Sequence, residues 1–207
     1  MSLETFMPVT VGARPDHGFD SPLGLLSDCH RRIERFLNVL SRVLTETGGG
    51  ALDARQRHGL QSATEYFSTA APRHTQDEEH SLFPLMRRSS DPEVAAAMAR
   101  LDALEADHRE AETAHTEVDQ LCRCWLRVGT LTPAEAGRLG SLLRALAELY
   151  RRHIAVEDQE VFPLAGRALS AGELAAVGQE MARRRGLSVD HARASPRTTR
   201  VDQEDRL

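Results

Sequence analysis

Two stretches of the chain, HTQDEEHSLFPL at residues 74–85 and HIAVEDQEVFPL at residues 153–164, follow one pattern. Each begins with a histidine, has a glutamate four positions later with an acidic residue directly after it, and ends in Phe-Pro-Leu. Residues four apart lie on one face of an α-helix, so each stretch presents an imidazole beside a carboxylate. Two such helix faces turned towards each other predict a metal site between them.

Apolar side chains recur at helical spacing on both sides of these stretches, which predicts an all-α protein with four long helices and a short fifth one. Because the connections are short, neighbouring helices should be antiparallel, and this gives an up-down-up-down four-helix bundle. The predicted helices run from residue 22 to about 47, from a cap at 53 to near 83, from 91 to about 128, from a cap at 132 into the second stretch, and from about 170 to 184.

Two prolines near the first stretch affect the second helix. Pro72 removes a backbone donor and clashes with the preceding turn, so we expect a kink or a short break two residues before His74. Pro84 follows Phe83, and a residue that precedes proline disfavours helical geometry. The second helix is therefore expected to end near Phe83.

The two ends of the chain carry no periodic apolar pattern. Residues 1–20 contain prolines and glycines and are expected to form a loose N-terminal arm. Residues 187–207 are polar and Arg-rich and are expected to form a disordered C-terminal tail. The helical bundle is therefore assigned to residues 21–186.

Composition and charge argue against several classes of protein. The 207 residues carry a formal net charge of −5, so we expect no nucleic-acid partner. No apolar run approaches the roughly 20 residues of a membrane span, and the first residues lack the features of a signal peptide. The cysteines Cys29, Cys122 and Cys124 form no even disulfide framework; we expect reduced thiols and hence a cytoplasmic location.

Two further histidines complete a regular constellation. His30 and His74 are 44 residues apart, and His108 and His153 are 45 residues apart. The chain therefore contains two helical hairpins, each with one histidine on its first helix and a His-x3-Glu pair on its second. Such nearly equal separations are unlikely by chance, because insertions in loops usually change the distance between residues along the chain. Folding the hairpins together would bring six candidate metal ligands to one point: His30, His74, Glu78, His108, His153 and Glu157.

Nitrogen and carboxylate donors without cysteine favour two ions of iron or manganese over structural zinc, which prefers four ligands and often sulfur. Carboxylates readily bridge two cations, so Glu78 and Glu157 are the predicted bridges and the histidines are terminal ligands. Two six-coordinate ions have about twelve positions, and the six side chains with an oxo or hydroxo bridge fill about ten of them. The remaining two would be open to water or a small ligand, which indicates reactivity.

The pattern of these six residues, with Phe-Pro after each paired motif, resembles the hemerythrin HHE cation-binding domain over about residues 22–165. The resemblance implies a four-helix bundle that holds a non-haem di-iron centre. Members of that family bind dioxygen, sense oxygen or iron, respond to nitric oxide, or take part in iron-centre repair, so the resemblance implies no single reaction.

The sequence departs from the pattern of oxygen-carrying hemerythrins, which have a fifth histidine one turn after the ligand on the third helix. Glu112 holds that position here, which argues against reversible oxygen carriage, and Glu34 is its counterpart after His30. These two glutamates are either further ligands or acceptors that orient the imidazoles, or they are solvated helix charges. Repair proteins of similar sequence carry an N-terminal cysteine segment, and residues 1–20 contain no cysteine.

Two other side chains fall near the predicted site. His115 lies seven residues after His108 on the same helix face, so it either lines a ligand channel or packs in the bundle. Tyr150 lies three residues before His153 and is a candidate hydrogen-bond donor close to the site.

These observations predict a di-iron protein that binds or senses a small ligand such as dioxygen, nitric oxide or peroxide. One alternative is a di-iron enzyme that reduces peroxide or oxidises iron. Another is a regulatory interaction module in which the metal centre is structural. The expected partners are a diatomic ligand or peroxide, with no membrane or nucleic acid, and a homodimer is possible.

Overall fold

The computed structural model describes residues 15–187, and every regular element within that range is helical, as the sequence predicts. Long helices are interrupted by short π-helical segments, which we label separately. The elements are α1 (Pro22–Thr47), α2 (Ala54–Thr69), α3 (Ala71–Asp77), π1 (Glu78–Leu82), α4 (Phe83–Arg88), α5 (Pro92–Ala96), α6 (Met98–Val128), α7 (Pro133–Val156), π2 (Glu157–Val161), α8 (Phe162–Ala168) and α9 (Ala171–Arg184).

Four helices form the body of the fold. Helix α1 packs against α2 and α7, and α6 packs against the same two neighbours, so the four helices contact one another in a ring. The α1–α2 and α6–α7 connections lie together, because the Leu131 amide donates to the Gly49 carbonyl at 2.7 Å. The Trp125 indole N–H donates to the Gly50 carbonyl at 2.9 Å and ties α6 to the same connection.

The helix ends follow the local sequence signals. Asp53, Thr132 and Ser170 each form a capping box with the residue three positions later, which satisfies backbone donors at the first turn. Ser21 makes no side-chain capping bond, and Pro22 begins α1. Gly48 ends α1 at a φ of 59°, a left-handed conformation that glycine adopts without a Cβ penalty.

The second predicted helix does not end near Phe83, and this expectation is wrong. The chain continues through π1 into α4 and stops at Arg88. The Phe83 amide donates to the Glu78 carbonyl five residues back, and Pro84, at the start of α4, needs no acceptor of its own. A wide π turn therefore accommodates a proline that would otherwise clash with the preceding turn.

Two other breaks interrupt the long helices. Helix α2 ends at Thr69 and α3 begins at Ala71, just before Pro72, so the predicted break is confirmed. The third predicted helix is instead divided into α5 and α6 at Ala97. The Ala97 amide donates to the Glu93 carbonyl at 3.1 Å and to the Val94 carbonyl at 2.9 Å. The sequence there contains neither proline nor glycine to indicate a break.

The apolar core consists of two clusters on either side of a polar layer. On α1, Leu26 belongs to one cluster and Ile33 to the other, with His30 between them. On α6, Leu104 and Ala111 belong to different clusters in the same way, with His108 between them. The predicted ligands therefore lie at mid-height in the bundle, where apolar side chains shield them from water on both sides.

The last residues of the predicted N-terminal arm contact the bundle. The His17 amide and its Nδ1 atom approach the Asp28 carboxylate at 2.8 and 3.1 Å. The backbone of Phe19 lies so close to Gly178 of α9 that a Cβ at this glycine would stand 1.9 Å from the Phe19 carbonyl oxygen. Residues 1–14 of the arm, and the predicted tail beyond residue 187, lie outside the described residues.

Candidate metal centre

The structure brings all six predicted ligand residues together. Ligand atoms of His30, His74, Glu78 and Glu157 lie within 4.8 Å of one another, and those of His108, His153 and the same two glutamates form a second group of this kind. The two groups share Glu78 and Glu157, the residues that the sequence predicts as bridges. The arrangement is suited to two neighbouring cations with shared carboxylates.

The burial of the site makes its polar atoms costly unless something compensates them. Both glutamates are 0% exposed, and all four of their carboxylate oxygens lack a hydrogen-bond partner, as does Nε2 of His30. A buried, unpaired carboxylate costs several kcal/mol of stability. Cations between the carboxylates and the imidazoles would remove this cost, so the donor set fits a metal centre.

The distances show how each glutamate faces both halves of the site. Oε1 of Glu78 lies 3.4 Å from Nε2 of His74, and its Oε2 lies 3.4 Å from Nε2 of His108. Oε2 of Glu157 lies 3.1 Å from Nε2 of both His30 and His153. Each carboxylate therefore spans the two ligand groups, and the imidazoles face it with the nitrogen that a metal would take.

The surroundings of the two glutamates favour the ionised form of both carboxyl groups. Burial raises the pKa of the Glu78 carboxyl, but the close imidazoles of His74, His108 and His30 outweigh it and hold the pKa well below its usual range. The pKa of Glu157 is lowered by His153 and His30 against the opposing effects of burial and of Glu78. Carboxylates held in the ionised form offer their oxygen lone pairs to cations.

The acidic residue that follows each shared glutamate contacts a histidine on another helix. Oδ1 of Asp158 lies 3.1 Å from Nδ1 of His30, and Oε1 of Glu79 lies 2.8 Å from Nδ1 of His108. A carboxylate at Nδ1 holds the proton there and leaves the lone pair of Nε2 facing the site. The acidic position was visible in the repeat, but its partners lie across helices and could not be read from spacing.

The other two imidazoles are supported differently. Oδ2 of Asp107 lies 3.4 Å from Nδ1 of His153, whereas Nδ1 of His74 is buried without a hydrogen-bond partner. The position before His30, which corresponds to Asp107 before His108, holds Cys29. The centre is therefore two-fold in its ligands and asymmetric in the groups around them.

Both π segments begin at one of the glutamates that the two ligand groups share, Glu78 and Glu157. The Phe83 amide donates to the Glu78 carbonyl, and the Phe162 amide donates to the Glu157 carbonyl, so each glutamate opens a wide turn. The Phe162 ring then stacks on His30 with ring centroids 5.4 Å apart. Both Phe-Pro pairs thus follow the wide turns, and Phe162 in addition covers the ring of the candidate ligand His30.

Glu34 and Glu112 are exposed and belong to neither ligand group. They are solvated helix charges in this structure. His115 lies inside the bundle, where its Nε2 atom is 3.0 Å from the Tyr150 hydroxyl and its ring stacks on Phe67 at 4.4 Å. Burial lowers the pKa of His115 to about 4, so its imidazole is neutral near pH 7.

Comparison with known proteins agrees with this site. The family described as the Hemerythrin HHE cation binding domain matches residues 21–165. An uncharacterized protein of Haemophilus influenzae is 28% identical over 176 residues, a match that covers 81% of this chain and 91% of that relative. Among the described residues, no helix is both long and apolar enough to cross a membrane.

Proposed function

The chain belongs to the hemerythrin HHE cation-binding domain family, and on that premise we propose that it holds two iron ions and binds or senses a small ligand. The candidate small ligands are dioxygen, nitric oxide and peroxide. The observation that carries the proposal is that two groups of buried ligand atoms share Glu78 and Glu157. A pair of iron ions, when bound, supplies redox chemistry and positions at which a small molecule can coordinate.

The choice of iron rests on the donor set. Four imidazoles and two shared carboxylates suit iron or manganese, whereas a structural zinc site takes four ligands and often includes thiolates. None of the cysteines among the described residues belongs to either ligand group. Manganese remains the closest alternative, because its ligand preferences overlap those of iron.

The surrounding residues have supporting roles in this proposal. Asp158 and Glu79 hold the Nδ1 protons of His30 and His108, which keeps these imidazoles oriented and basic. Phe162 covers His30 from one side and limits access of water. The ring of α1, α2, α6 and α7 and the shared position of their two connections favour the antiparallel up-down-up-down order.

Binding or sensing is favoured over reversible oxygen carriage, because the position of the fifth histidine in oxygen carriers holds the exposed Glu112. The two alternatives, a di-iron enzyme acting on peroxide or ferrous iron and a regulatory module with a structural centre, differ from the proposal in measurable ways. The cytoplasmic location and the possible homodimer stay predictions from the sequence.

Metal analysis of protein purified without added metal tests the centre itself. We expect close to two iron ions per chain, and a large loss of metal in both His74→Ala and Glu157→Ala. His80→Ala is the matched control, because His80 lies in π1 but is exposed and outside both ligand groups. One tightly bound zinc ion that is indifferent to the two site variants would contradict the proposal.

Spectroscopy and turnover separate the functions. A di-iron centre that binds small ligands should change its near-ultraviolet and visible spectrum with dioxygen, nitric oxide or peroxide, once per centre. Repeated consumption of peroxide or ferrous iron would favour the enzyme. An iron-loaded protein with no spectral response to any of the three, whose stability is restored equally by an unreactive ion, would favour the regulatory module.

A further inference from the structure

The six predicted ligand residues differ in how well they are shielded from solvent. His108 is 9% exposed, whereas none of the other five is more than 3% exposed. A small molecule that approaches the candidate metal centre from solvent therefore meets the least cover beside His108.

A cavity of about 480 Å³ lies at this place, with α2 and α3 on one wall and α6 on the other. Its opening is lined by exposed side chains, among them Gln76 and Thr116. Its inner wall includes His108 and Tyr150, and the Tyr150 ring lies edge-on to His153 with ring centroids 6.2 Å apart. The cavity therefore leads from the surface towards the ligand group that contains His108 and His153.

The local sequence accounts for a gap at this height of the bundle. Helix α2 ends at Thr69 and α3 begins at Ala71, so the break next to Pro72 lies in the wall of the cavity. A break interrupts the row of side chains that would otherwise pack into the groove of the neighbouring helix. On the opposite wall, Ala111 lies one turn after His108 on the same helix face and contributes only a methyl group. The break and the small side chain therefore leave this side of the bundle incompletely filled.

The other ligand group is covered by packed side chains and by a helix. Phe162 stacks on His30 with ring centroids 5.4 Å apart. The Ser27 hydroxyl donates at 2.7 Å to Asp158, which also contacts His30, so α1 and π2 are joined beside this imidazole. Helix α9 packs against α3, which carries His74. The two ligand groups therefore differ in access, because one borders a cavity and the other lies beneath these contacts.

The chemistry of the wall suits small uncharged molecules. The deep part includes Leu40, Phe67 and Val118, which belong to the buried apolar core. Moving an ion along such a surface costs desolvation energy, whereas an uncharged molecule avoids this cost. Dioxygen, nitric oxide and hydrogen peroxide are uncharged near pH 7, so the wall is compatible with all three candidate ligands.

We propose that this cavity is the route by which the small ligand enters, and that the ligand coordinates the ion held by His108 and His153. This assignment rests on the proposed function and deepens it, because it names the side of entry and the half of the centre that takes the ligand. Ala111 and Thr116 then control which molecules pass. The side chain at position 111 sets the width beside the ligand layer, and the side chain at position 116 sets the width of the opening.

Stopped-flow mixing of the reduced, iron-loaded protein with nitric oxide tests the route, with the visible spectrum as the signal. Thr116→Trp enlarges an exposed side chain at the opening and should slow association by about tenfold. Dissociation should slow by the same factor and leave the affinity unchanged, because an obstacle in a route raises the barrier equally in both directions. Thr113→Trp is the matched control, since Thr113 is also exposed on α6 and its hydroxyl also donates to the carbonyl four residues back, but it lies outside the cavity wall.

A second variant narrows the inner end of the cavity. Ala111→Phe should slow both rates more than Thr116→Trp does, because the added ring stands next to the ligand layer. Ala106→Phe is its control, since Ala106 is exposed on the same helix and outside the cavity wall. Iron content is measured on every variant. Because Ala111 is buried and a larger side chain there can disturb folding, the exposed Thr116 variant decides the test if Ala111→Phe does not hold iron.

Crystallography supplies readouts that do not depend on rates. Xenon under pressure should bind in the metal-free protein against Phe67 and Val118, because apolar cavities take up this gas. In crystals of the iron-loaded protein exposed to nitric oxide, the ligand should lie on the ion held by His108 and His153.

The possible results separate this proposal from the proposed function. Association rates that are equal in Thr116→Trp and the unaltered protein, or equal slowing by Thr113→Trp, would overturn the route, as would the absence of xenon from the cavity. Nitric oxide on the ion held by His30 and His74 would overturn the assignment of the half. An iron-loaded protein that responds to none of the three candidate ligands would instead contradict the proposed function.

Discussion

The two halves of the candidate centre supply the same three ligands but reach that geometry by different means. In the second half, His153 stands near the end of α7, an unbroken helix of 24 residues that begins at a capping box. In the first half, His74 stands on α3, a helix of seven residues that follows a break. Local sequence therefore builds the second half, whereas the first half depends more on contacts from elsewhere.

Helix α9 supplies such contacts to the first half. It packs against α1, α3 and π1. Asp77, which precedes the ligand Glu78 and is 0% exposed, accepts from Arg184 at 2.5 Å and from Arg185 at 2.7 Å. The corresponding position before Glu157 is Val156, which packs against the apolar cluster that contains Leu26. The two halves therefore have equal candidate ligands but unequal support from the surrounding structure.

The largest effect should come from removing the support of the first half. Asp77→Ala leaves two guanidinium groups without their buried partner, so the free energy of unfolding should fall by about 3 kcal/mol. Metal content should fall with it, because Glu78 is the next residue. Denaturant unfolding of metal-free protein and metal analysis measure the two effects.

The control for that variant lies in the second half. Glu160 lies in π2 and forms an exposed ion pair with Arg100 of α6. Glu160→Ala removes this pair and should change the free energy of unfolding by less than about 0.5 kcal/mol. Equal losses for Asp77→Ala and Glu160→Ala would show that the two halves do not differ in their need for support.

A smaller effect should follow from changing the carboxylates behind the imidazoles. Glu79→Gln and Asp158→Asn keep the shape of the side chain but remove the charge that holds the Nδ1 proton. Each should weaken metal binding by about 10- to 100-fold. Asp107→Asn should weaken it less, because its oxygen is 3.4 Å from His153. Competition with a chelator gives the affinities, and an Asp107 effect equal to that of Glu79 would contradict the ranking by distance.

The two halves should contribute differently to the pH dependence of stability, because one pair of corresponding positions holds a histidine in one half and a leucine in the other. His115 lies seven residues after His108, whereas the buried Leu37 lies seven residues after His30. The pKa of His115 is lowered by burial to about 4, so below pH 6.5 the unfolded chain binds a proton that the folded protein does not. Stability is therefore lost as the pH falls, by about 1.4 kcal/mol from this group at pH 5.5.

His115→Leu makes the second half resemble the first and should remove this contribution. Urea unfolding of the metal-free variant at pH 7 and pH 5.5, beside the unaltered protein, gives the difference. If the free energy of unfolding changes with pH equally in the variant and in the unaltered protein, His115 takes up its proton in the folded protein as it does in the unfolded chain. That result would contradict the prediction.

The smallest effect is expected at the two glutamates one turn after the first-helix and third-helix histidines. Glu34→Gln and Glu112→Gln should leave the metal content unchanged, because both side chains are exposed and outside the ligand groups. A loss of metal in either variant would restore the interpretation of that glutamate as a ligand or as an orienting acceptor.

The meeting of the six candidate ligand residues could be predicted from the sequence, because a helix face fixes the relation of residues four apart and the repeat doubled that constraint. The helix starts followed from local capping chemistry at Asp53 and Thr132. The contacts of Asp77 with Arg184 could not be predicted, since they join residues 107 positions apart through tertiary packing. The break at Ala97 has no local signal either.

The sequence rules fail to predict the extension of the second helix beyond Phe83 for a different reason. The rule that a residue before proline leaves the helix assumes regular α-helical hydrogen bonds, and the π turn changes which carbonyl stands opposite the proline. The repeat therefore marks both Phe-Pro pairs, but the proline rule alone predicts a helix end at Phe83, where the helix in fact continues into α4.

The π segments also have a consequence for how the chain tolerates changes in length. Each wide turn contains one residue more than the same turn of an α-helix, so loss of one residue there need not break the backbone. Deleting the exposed His80 would close π1 into a regular turn. Because the π turn already holds one residue more than an α turn, Phe83 and the residues after it would keep about the same direction around the helix axis. The same deletion in a regular α-helix would rotate everything after it by about 100°. The π segments are therefore places at which the second and fourth long helices can lose one residue without turning the following apolar side chains away from the core.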